Sequence, residues 1–136
     1  LLCAELGDEH LGGGGSVGLA HACTADDHPE AEGNYLETSG TALFAYAVLK
    51  GVRLGYLPKR MAAWAEKAFY GTCDRYLSKN PDGSLQLDGI CLVAGLGGKD
   101  HRDGSLAYYF SEPVVCNDAK GVGPLVLAYT EMIARK

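Results

Sequence analysis

The sequence is short of positive charge. It has 12 Lys and Arg against 17 Asp and Glu, which gives a net charge of −5. It shows no basic stripe of the kind that neutralises nucleic-acid phosphates or binds an anionic membrane surface. Its longest apolar run, residues 41–49, falls far below the roughly 20 residues that span a bilayer. We therefore predict neither a nucleic-acid nor a membrane partner.

Regularly spaced cysteines and histidines are also lacking. The five cysteines are odd in number and scattered, which is not typical of a disulfide framework. We expect Cys73 and Cys91 to be small core residues in a reducing, cytoplasmic compartment, with a periplasmic or secreted location left open. No pair of cysteines or histidines has the spacing of a metal site, so no metal or other cofactor is predicted. The candidate metal ligands that lack this spacing are Cys3, His10, His21, Cys23 and His28.

The first 33 residues differ from those that follow. They contain a four-glycine run at residues 12–15 and three of the four histidines, without helical or alternating periodicity. We predict a mostly irregular segment. Residues 14–18 match G-x-S-x-G, but no strand precedes them, as a nucleophile elbow requires. The chain has no initiator Met and no signal peptide at its start, which leaves open that upstream sequence is missing.

Residues 34–55 contain the clearest helix. Thr38 or Ser39 is predicted to cap its start, and residues 42–49 are apolar on every side. A helix that is apolar all round is a buried one. Gly55 suits a left-handed exit at its end.

Two further helices are predicted. Residues 59–77 show an amphipathic pattern of about five turns, with Pro58 at the start. Because the connection is short, this helix is expected to pack antiparallel to the first. Residues 121–133 form the last helix, with Pro124 in its first turn.

The remaining segments are predicted to be extended. Residues 80–83 have the composition of a turn. Residues 84–93, interrupted by Gly89, and residues 105–110 are expected to pair as a small hairpin across a glycine-rich loop. Three helices and one hairpin are too few to surround a buried helix, so we expect a part of a larger helical array.

Two groups of polar or aromatic residues are candidates for a binding site. Glu37, Thr38 and Ser39 either cap the first helix or face a pocket, and the sequence favours neither interpretation. Tyr108, Tyr109 and Phe110 with Glu112 either stack against sugars or belong to a half-buried strand, which is the commoner case.

Several aspartates are candidates for acid–base chemistry. A general acid needs a pKa raised by burial. Three of them lie in predicted exposed turns, which argues against them: Asp82, Asp100 and Asp103. Asp88 and Asp118 stay open.

Four motifs, in order, carry a resemblance. They are GNYLETSGTA at residues 33–42, KGVRLGYLP at 50–58, GLGG with RDGS at 95–98 and 102–105, and YYFSEPVV leading into NDAKGVGP at 108–115 and 117–124. Together they resemble the C-terminal part of the unsaturated rhamnogalacturonyl hydrolases, glycoside hydrolase family 105. The resemblance covers about residues 30–134, and residues 1–29 do not resemble the family.

The resemblance implies an all-α fold, in which residues 34–136 supply the closing part of an (α/α)6 barrel. Members of the family remove an unsaturated uronic acid from pectin-derived oligosaccharides by hydrating its C4=C5 double bond. An Asp in the N-terminal half donates the proton, and no metal or organic cofactor takes part. No position here matches that Asp, so no catalytic residue is predicted and the chain alone is expected to be inactive.

The resemblance also implies a substrate site and partners. The predicted substrate-binding residues are Glu37, Thr38, Ser39, Tyr108, Tyr109 and Lys120. The expected partners are an unsaturated oligosaccharide and the missing N-terminal half of the barrel. Two alternatives stay open: a non-catalytic carbohydrate-binding or structural remnant, and an unsaturated glucuronyl hydrolase that acts on glycosaminoglycan fragments.

Overall fold

The structure, a computed structural model, describes residues 32–98 and 102–135. The predicted irregular segment, with its histidines and G-x-S-x-G match, lies outside the described residues except for its last two. The helices are α1 (Thr38–Arg53), α2 (Ala62–Tyr76, preceded by a 3-10 turn over Lys59–Met61), α3 (Leu106–Ser111) and α4 (Ala119–Ala134). The strands are β1 (Leu77–Lys79), β2 (Leu85–Leu87), β3 (Ile90–Cys91) and β4 (Val114–Val115).

Helix α1 lies at the centre and packs against both α2 and α4. Small side chains let the helices approach closely, since Ala42, Ala45, Ala68 and Ala128 are all buried in one core cluster. The predicted hairpin of the first two helices is confirmed. Gly55 also has the predicted left-handed conformation, with φ of 78°.

One side of α1 is open to solvent, contrary to the prediction of a helix buried all round. Leu43 is 53% exposed, and Ala47 beside it is exposed as well. The outer face of α4 is also apolar, and Val126 on it is 56% exposed. The described residues do not supply enough neighbours to cover these apolar faces.

The predicted hairpin between residues 84–93 and 105–110 is wrong. Residues 106–111 form helix α3 because Ser105 Oγ accepts a hydrogen bond from the Tyr108 amide at 3.1 Å and so caps a helical turn. Strand β1 instead pairs antiparallel with β2 across the predicted turn, and β3 pairs antiparallel with β4. Gly89, with φ of 76°, interrupts the extended segment as expected.

Two helix starts also differ from prediction. Glu37, and not Thr38 or Ser39, caps α1. Helix α4 begins at Ala119 because Asp118 caps it, which moves Pro124 out of the first turn into the helix interior. Among the described residues, no helix has the length and apolar character needed to cross a membrane.

An ion pair between the exposed Arg53 and the buried Glu131 joins the C-terminal ends of α1 and α4. Arg53 Nε donates to Glu131 Oε2 at 2.6 Å, and Nη2 donates to Oε1 at 2.9 Å. The bond from Arg53 lowers the pKa of Glu131, whose side chain is only 7% exposed. Since these ends meet, α1 and α4 run parallel.

Replacing Glu131 with Gln should lower the free energy of unfolding by about 2 kcal/mol at pH 7, because one bond to a charged partner is lost. The carboxylate's folded pKa is depressed, so its contribution is present above the unfolded value of about 4.3 and is lost as pH falls. Urea unfolding at pH 7 and pH 3.5 measures both effects. Glu66→Gln, which breaks the more exposed pair with Arg135, is the control. Equal effects of the two substitutions would contradict the account.

Candidate substrate-binding end

The N-terminal ends of α1 and α4 lie at one end of the bundle, together with the β3–β4 pair. The Thr38 amide donates to the Gly89 carbonyl at 2.8 Å, which fixes the start of α1 against the segment before β3. A Cβ on Gly121, in the first turn of α4, would meet Ile90 Cδ1 at 2.5 Å, so β3 also packs directly on α4. The sequence motifs 33–42 and 117–124 therefore meet around β3.

Glu37 joins the elements of this end. Its Oε1 accepts hydrogen bonds from the Ser39 amide at 3.0 Å, the Ser39 hydroxyl at 2.7 Å and the Cys91 amide at 3.1 Å. Its Oε2 accepts from the Gly40 amide at 2.7 Å. The carboxylate thus caps α1 and at the same time holds β3, while the residue itself is buried.

Thr38 and Ser39 also make their polar contacts inside the chain. Thr38 is fully buried, and its hydroxyl donates to the Asp88 carbonyl at 2.8 Å. The Ser39 hydroxyl is held by Glu37. These contacts favour the capping interpretation, whereas contact of these three residues with a substrate stays a prediction.

The two adjacent tyrosines of α3 have different surroundings. Tyr109 is buried, and its ring is stacked on that of Tyr35 with centroids 6.0 Å apart. Tyr108 is half-buried, and its hydroxyl accepts from the Gly95 amide at 3.2 Å. A hydrogen bond with Glu112 raises the pKa of Tyr108. Only Tyr108 therefore presents part of its side chain to solvent.

Sequence reasoning gave no role to Tyr35, which lies inside the first motif. Its hydroxyl donates to that of Tyr109 at 3.3 Å. Burial raises the pKa of Tyr35 far above its usual range, and hydrogen bonds with Cys91 and Tyr109 add to the effect. Cys91 is buried, as predicted for a core cysteine. The three side chains form one cluster, which the Cys91 amide joins to Glu37.

Lys120 lies at the start of α4, on the exposed side of this end. Its Nζ donates to Asp118 Oδ1 at 2.6 Å, and the same oxygen accepts from the Lys120 amide at 2.9 Å. Lys120 lowers the pKa of Asp118. The neighbouring Asn117, with φ of 55°, accepts from the Leu87 amide and orients this turn. The Lys120 ammonium is therefore exposed but paired with Asp118, and its role in substrate binding stays a prediction.

The described aspartates that were candidates for acid–base chemistry serve local structure. Ser84 and Ser105 donate to Asp82 and Asp103 respectively, and these bonds lower the pKa of each carboxyl. Asp88 Oδ1 accepts from Gln86 Nε2 at 3.0 Å. Asp100 lies outside the described residues. A lowered pKa is the opposite of what a general acid needs, which argues against Asp82, Asp103 and also Asp118. Residues 32–98 and 102–135 hold no group of three potential metal ligands.

Helices α2 and α4 pack on α1, and short strands connect the helix ends, as in a segment of a larger helical array. The family model described as Glycosyl Hydrolase Family 88 matches residues 18–136. The chain belongs to this glycoside hydrolase family. The match begins at residue 18, upstream of the four motifs, whose resemblance to family 105 covers about residues 30–134.

The chain is similar to solved structures of glycoside hydrolase family 105. It is 52% identical to a family 105 glycoside hydrolase from C. acetobutylicum ATCC 824, with a TM-score of 0.76, over 79% of this chain and 30% of that one. It is 31% identical to a possible family 105 member from Salmonella enterica, with a TM-score of 0.67, over 88% of this chain and 27% of that one. These relatives are helical barrels, so the predicted all-α partial barrel and the family resemblance are confirmed.

Curated relatives give a similar picture. Protein Atu3128 of Agrobacterium fabrum and the 24.9 kDa protein in the picA locus of Rhizobium radiobacter are each 45% identical over 113 residues. The aligned region is 79% of this chain and 48% of each relative. The chain therefore spans about half the length of these relatives and less than a third of the solved structures.

Replacing Glu37 with Gln should lower the free energy of unfolding by about 2 kcal/mol, because an amide nitrogen cannot accept the bonds that one carboxylate oxygen accepts. Urea unfolding measures the change. Glu32→Gln, at an exposed position, is the matched control and should be neutral. An unchanged stability for Glu37→Gln would contradict the capping role and leave substrate contact as the better explanation.

Gly89 is predicted to tolerate no side chain. A Cβ there would lie 2.7 Å from Thr38 Oγ1 and 2.8 Å from Tyr76 Cε1. Gly55 has a similar positive φ but no atom within 4 Å of its would-be Cβ. Gly55→Ala should therefore cost about 1 kcal/mol for backbone strain alone, and Gly89→Ala about 3 kcal/mol. Thermal unfolding of both variants separates the cost of backbone strain from the cost of the clash at Gly89. Equal losses of stability in the two variants would show that the packing against Thr38 is not tight.

Proposed function

We propose that this chain is part of a hydrolase that removes unsaturated uronic acid from pectin-derived oligosaccharides by hydrating the C4=C5 double bond. The supporting observation is the 52% identity to a family 105 glycoside hydrolase over 79% of the chain. Family membership supports a glycoside hydrolase. The pectic, rhamnogalacturonan-type substrate is the finer proposal and rests on the resemblance of the four ordered motifs.

The proton donor of this reaction lies outside the described residues. Hydration of an enol ether begins with proton transfer to carbon, which requires a carboxyl that is protonated near neutral pH. Asp118 and Glu131 have lowered pKa values and bind cationic side chains. Glu37 is held by four donors from its own chain. These three carboxylates do not fit the role, and the resemblance to family 105 implies a catalytic Asp in another part of the barrel.

The described residues contribute one wall of the substrate site. Tyr108 offers a partly exposed ring beside Glu112, and an aromatic face suits the C–H surface of a sugar. The Lys120 ammonium is half exposed and paired with Asp118, and the uronate carboxylate would share it with Asp118. Glu37, Thr38 and the Tyr35–Tyr109 pair lie behind this surface and fix its shape.

The partner of the open helix faces is the remaining part of the barrel. Leu43 on α1 and Val126 on α4 are exposed, and their neighbours Ala47 and Leu127 carry no charge either. Uncharged helix faces of this kind pack against further helices.

The three described cysteines, Cys73, Cys91 and Cys116, are free thiols, which supports a reducing, cytoplasmic compartment.

A chimera tests the proposed function. The matching region of the C. acetobutylicum relative would be replaced by residues 32–136 of this chain, and loss of the double bond's ultraviolet absorbance would be followed. We expect the chimera to consume an unsaturated rhamnogalacturonan disaccharide, while the chain alone leaves the absorbance unchanged.

The unmodified relative is the positive control, and an unsaturated chondroitin disaccharide is the comparison substrate. Steady consumption of the rhamnogalacturonan disaccharide by the chain alone would show that the catalytic acid lies within this chain. Preference for the chondroitin disaccharide would assign a glycosaminoglycan substrate instead.

A further inference from the structure

Positive charge is concentrated at the turn between α1 and α2. Residues 50–60 contain Lys50, Arg53, Lys59 and Arg60 and no acidic residue, within a chain of net charge −5. The net charge conceals this patch, because acidic residues dominate elsewhere. The turn lies at the end of the bundle opposite Glu37.

Two of the four cations have partners. Arg53 binds Glu131, and Lys50 Nζ donates to the Tyr46 hydroxyl at 2.6 Å. Lys59 and Arg60 are exposed and make no ion pair with any residue in 32–98 or 102–135. They are therefore available to an external anion.

An exposed aromatic residue, Tyr56, precedes these two cations by three and four positions in the sequence. Tyr56 is 80% exposed, yet its backbone is fixed, since its amide donates to the Gly51 carbonyl at 2.8 Å. The next residue, Leu57, packs into the core cluster of Val48, Leu49 and Ala65. Pro58 then restricts the backbone before the 3-10 turn that carries Lys59 and Arg60. The backbone that carries the ring is therefore fixed by a hydrogen bond and by the packing of Leu57, which lowers the entropy lost on binding a ligand.

The missing helices of the barrel do not explain this exposure. Leu43 and Val126 lie on the flanks of their helices, where a neighbouring helix would pack. Tyr56, Lys59 and Arg60 instead lie on the connection between two helices, at the end of the array, and two of the three are charged. A charged surface with one aromatic ring fits an anionic ligand better than an apolar helix face.

We propose that Tyr56, Lys59 and Arg60, named here the turn patch, bind a segment of an acidic polysaccharide of uronate residues. The tyrosine face contacts the C–H surface of one sugar, and the two cations contact carboxylates along the chain. The choice of a uronate polymer rests on the proposed function, whereas the anionic character of the ligand rests on the charges alone. Helix α1 has 16 residues, so the patch is about 24 Å from the substrate-binding end, and a polymer is held there without blocking it.

Affinity electrophoresis of the full chain in gels containing saturated polygalacturonate tests the proposal. This polymer has no unsaturated end and so is not a substrate for the hydration reaction. We expect the chain to be retarded relative to a gel without polymer. Lys59→Glu with Arg60→Glu should weaken binding about tenfold, because two charge contacts become repulsive, and Tyr56→Ala should weaken it about threefold.

Matched controls decide the outcome. Lys67→Glu and Lys79→Glu change the charge at exposed positions away from the turn and should leave retardation nearly unchanged once free mobility is corrected. No retardation of the unmodified chain, or an equal loss of retardation in the Lys67 and Lys79 variants, would overturn the proposal that the turn patch binds the polymer. Equal binding of poly-glutamate of matched charge would overturn the assignment to a polysaccharide. Turnover of the disaccharide by the chimera is measured separately, so a failure of the proposed function is distinguished from a failure of the turn patch.

Discussion

The carboxylate of Glu37 connects the parts of this structure that carry the family motifs. The first amides of a helix have no partner within the helix, and Glu37 accepts hydrogen bonds from two of them. The same carboxylate accepts from the Cys91 amide, 54 residues away in sequence. The start of α1 is thereby fixed to β3, and β3 in turn pairs with β4, which leads to the start of α4.

The substrate-binding end depends on this link. Tyr35 and Tyr109 stack beside Cys91, and the neighbouring Tyr108 of the same short helix is half-buried. If β3 were released from Glu37, the packing that positions α3 and the turn before Lys120 would be lost. The parallel arrangement of α1 and α4 also depends on Arg53 and Glu131 at the far end. A carboxylate at one end and an ion pair at the other therefore fix the helices of this bundle to their neighbours.

The sequence predicted the helices well, because periodicity and capping residues are local signals. It predicted the hairpin of α1 and α2 and the turn at residues 80–83, but it placed α3 in a strand. The stretch LAYYF is rich in residues that favour strands, and only the cap by Ser105 shows that it is helical. The Glu37–Cys91 bond and the Tyr35–Tyr109 stack join residues distant in sequence, so no local sequence pattern predicts them. The family resemblance predicted that Glu37 binds substrate, whereas its hydrogen bonds to Ser39, Gly40 and Cys91 give it a structural role.

Amide hydrogen exchange of Ser39, Gly40 and Cys91 tests the role of Glu37 most directly. The two amides at the start of a helix ordinarily exchange fast, because they lack helical partners. We predict that all three amides are protected to a similar degree and that Glu37→Gln makes all three exchange faster together. Rapid exchange of the Cys91 amide in the unmodified chain, with Ser39 and Gly40 still protected, would contradict the link between α1 and β3.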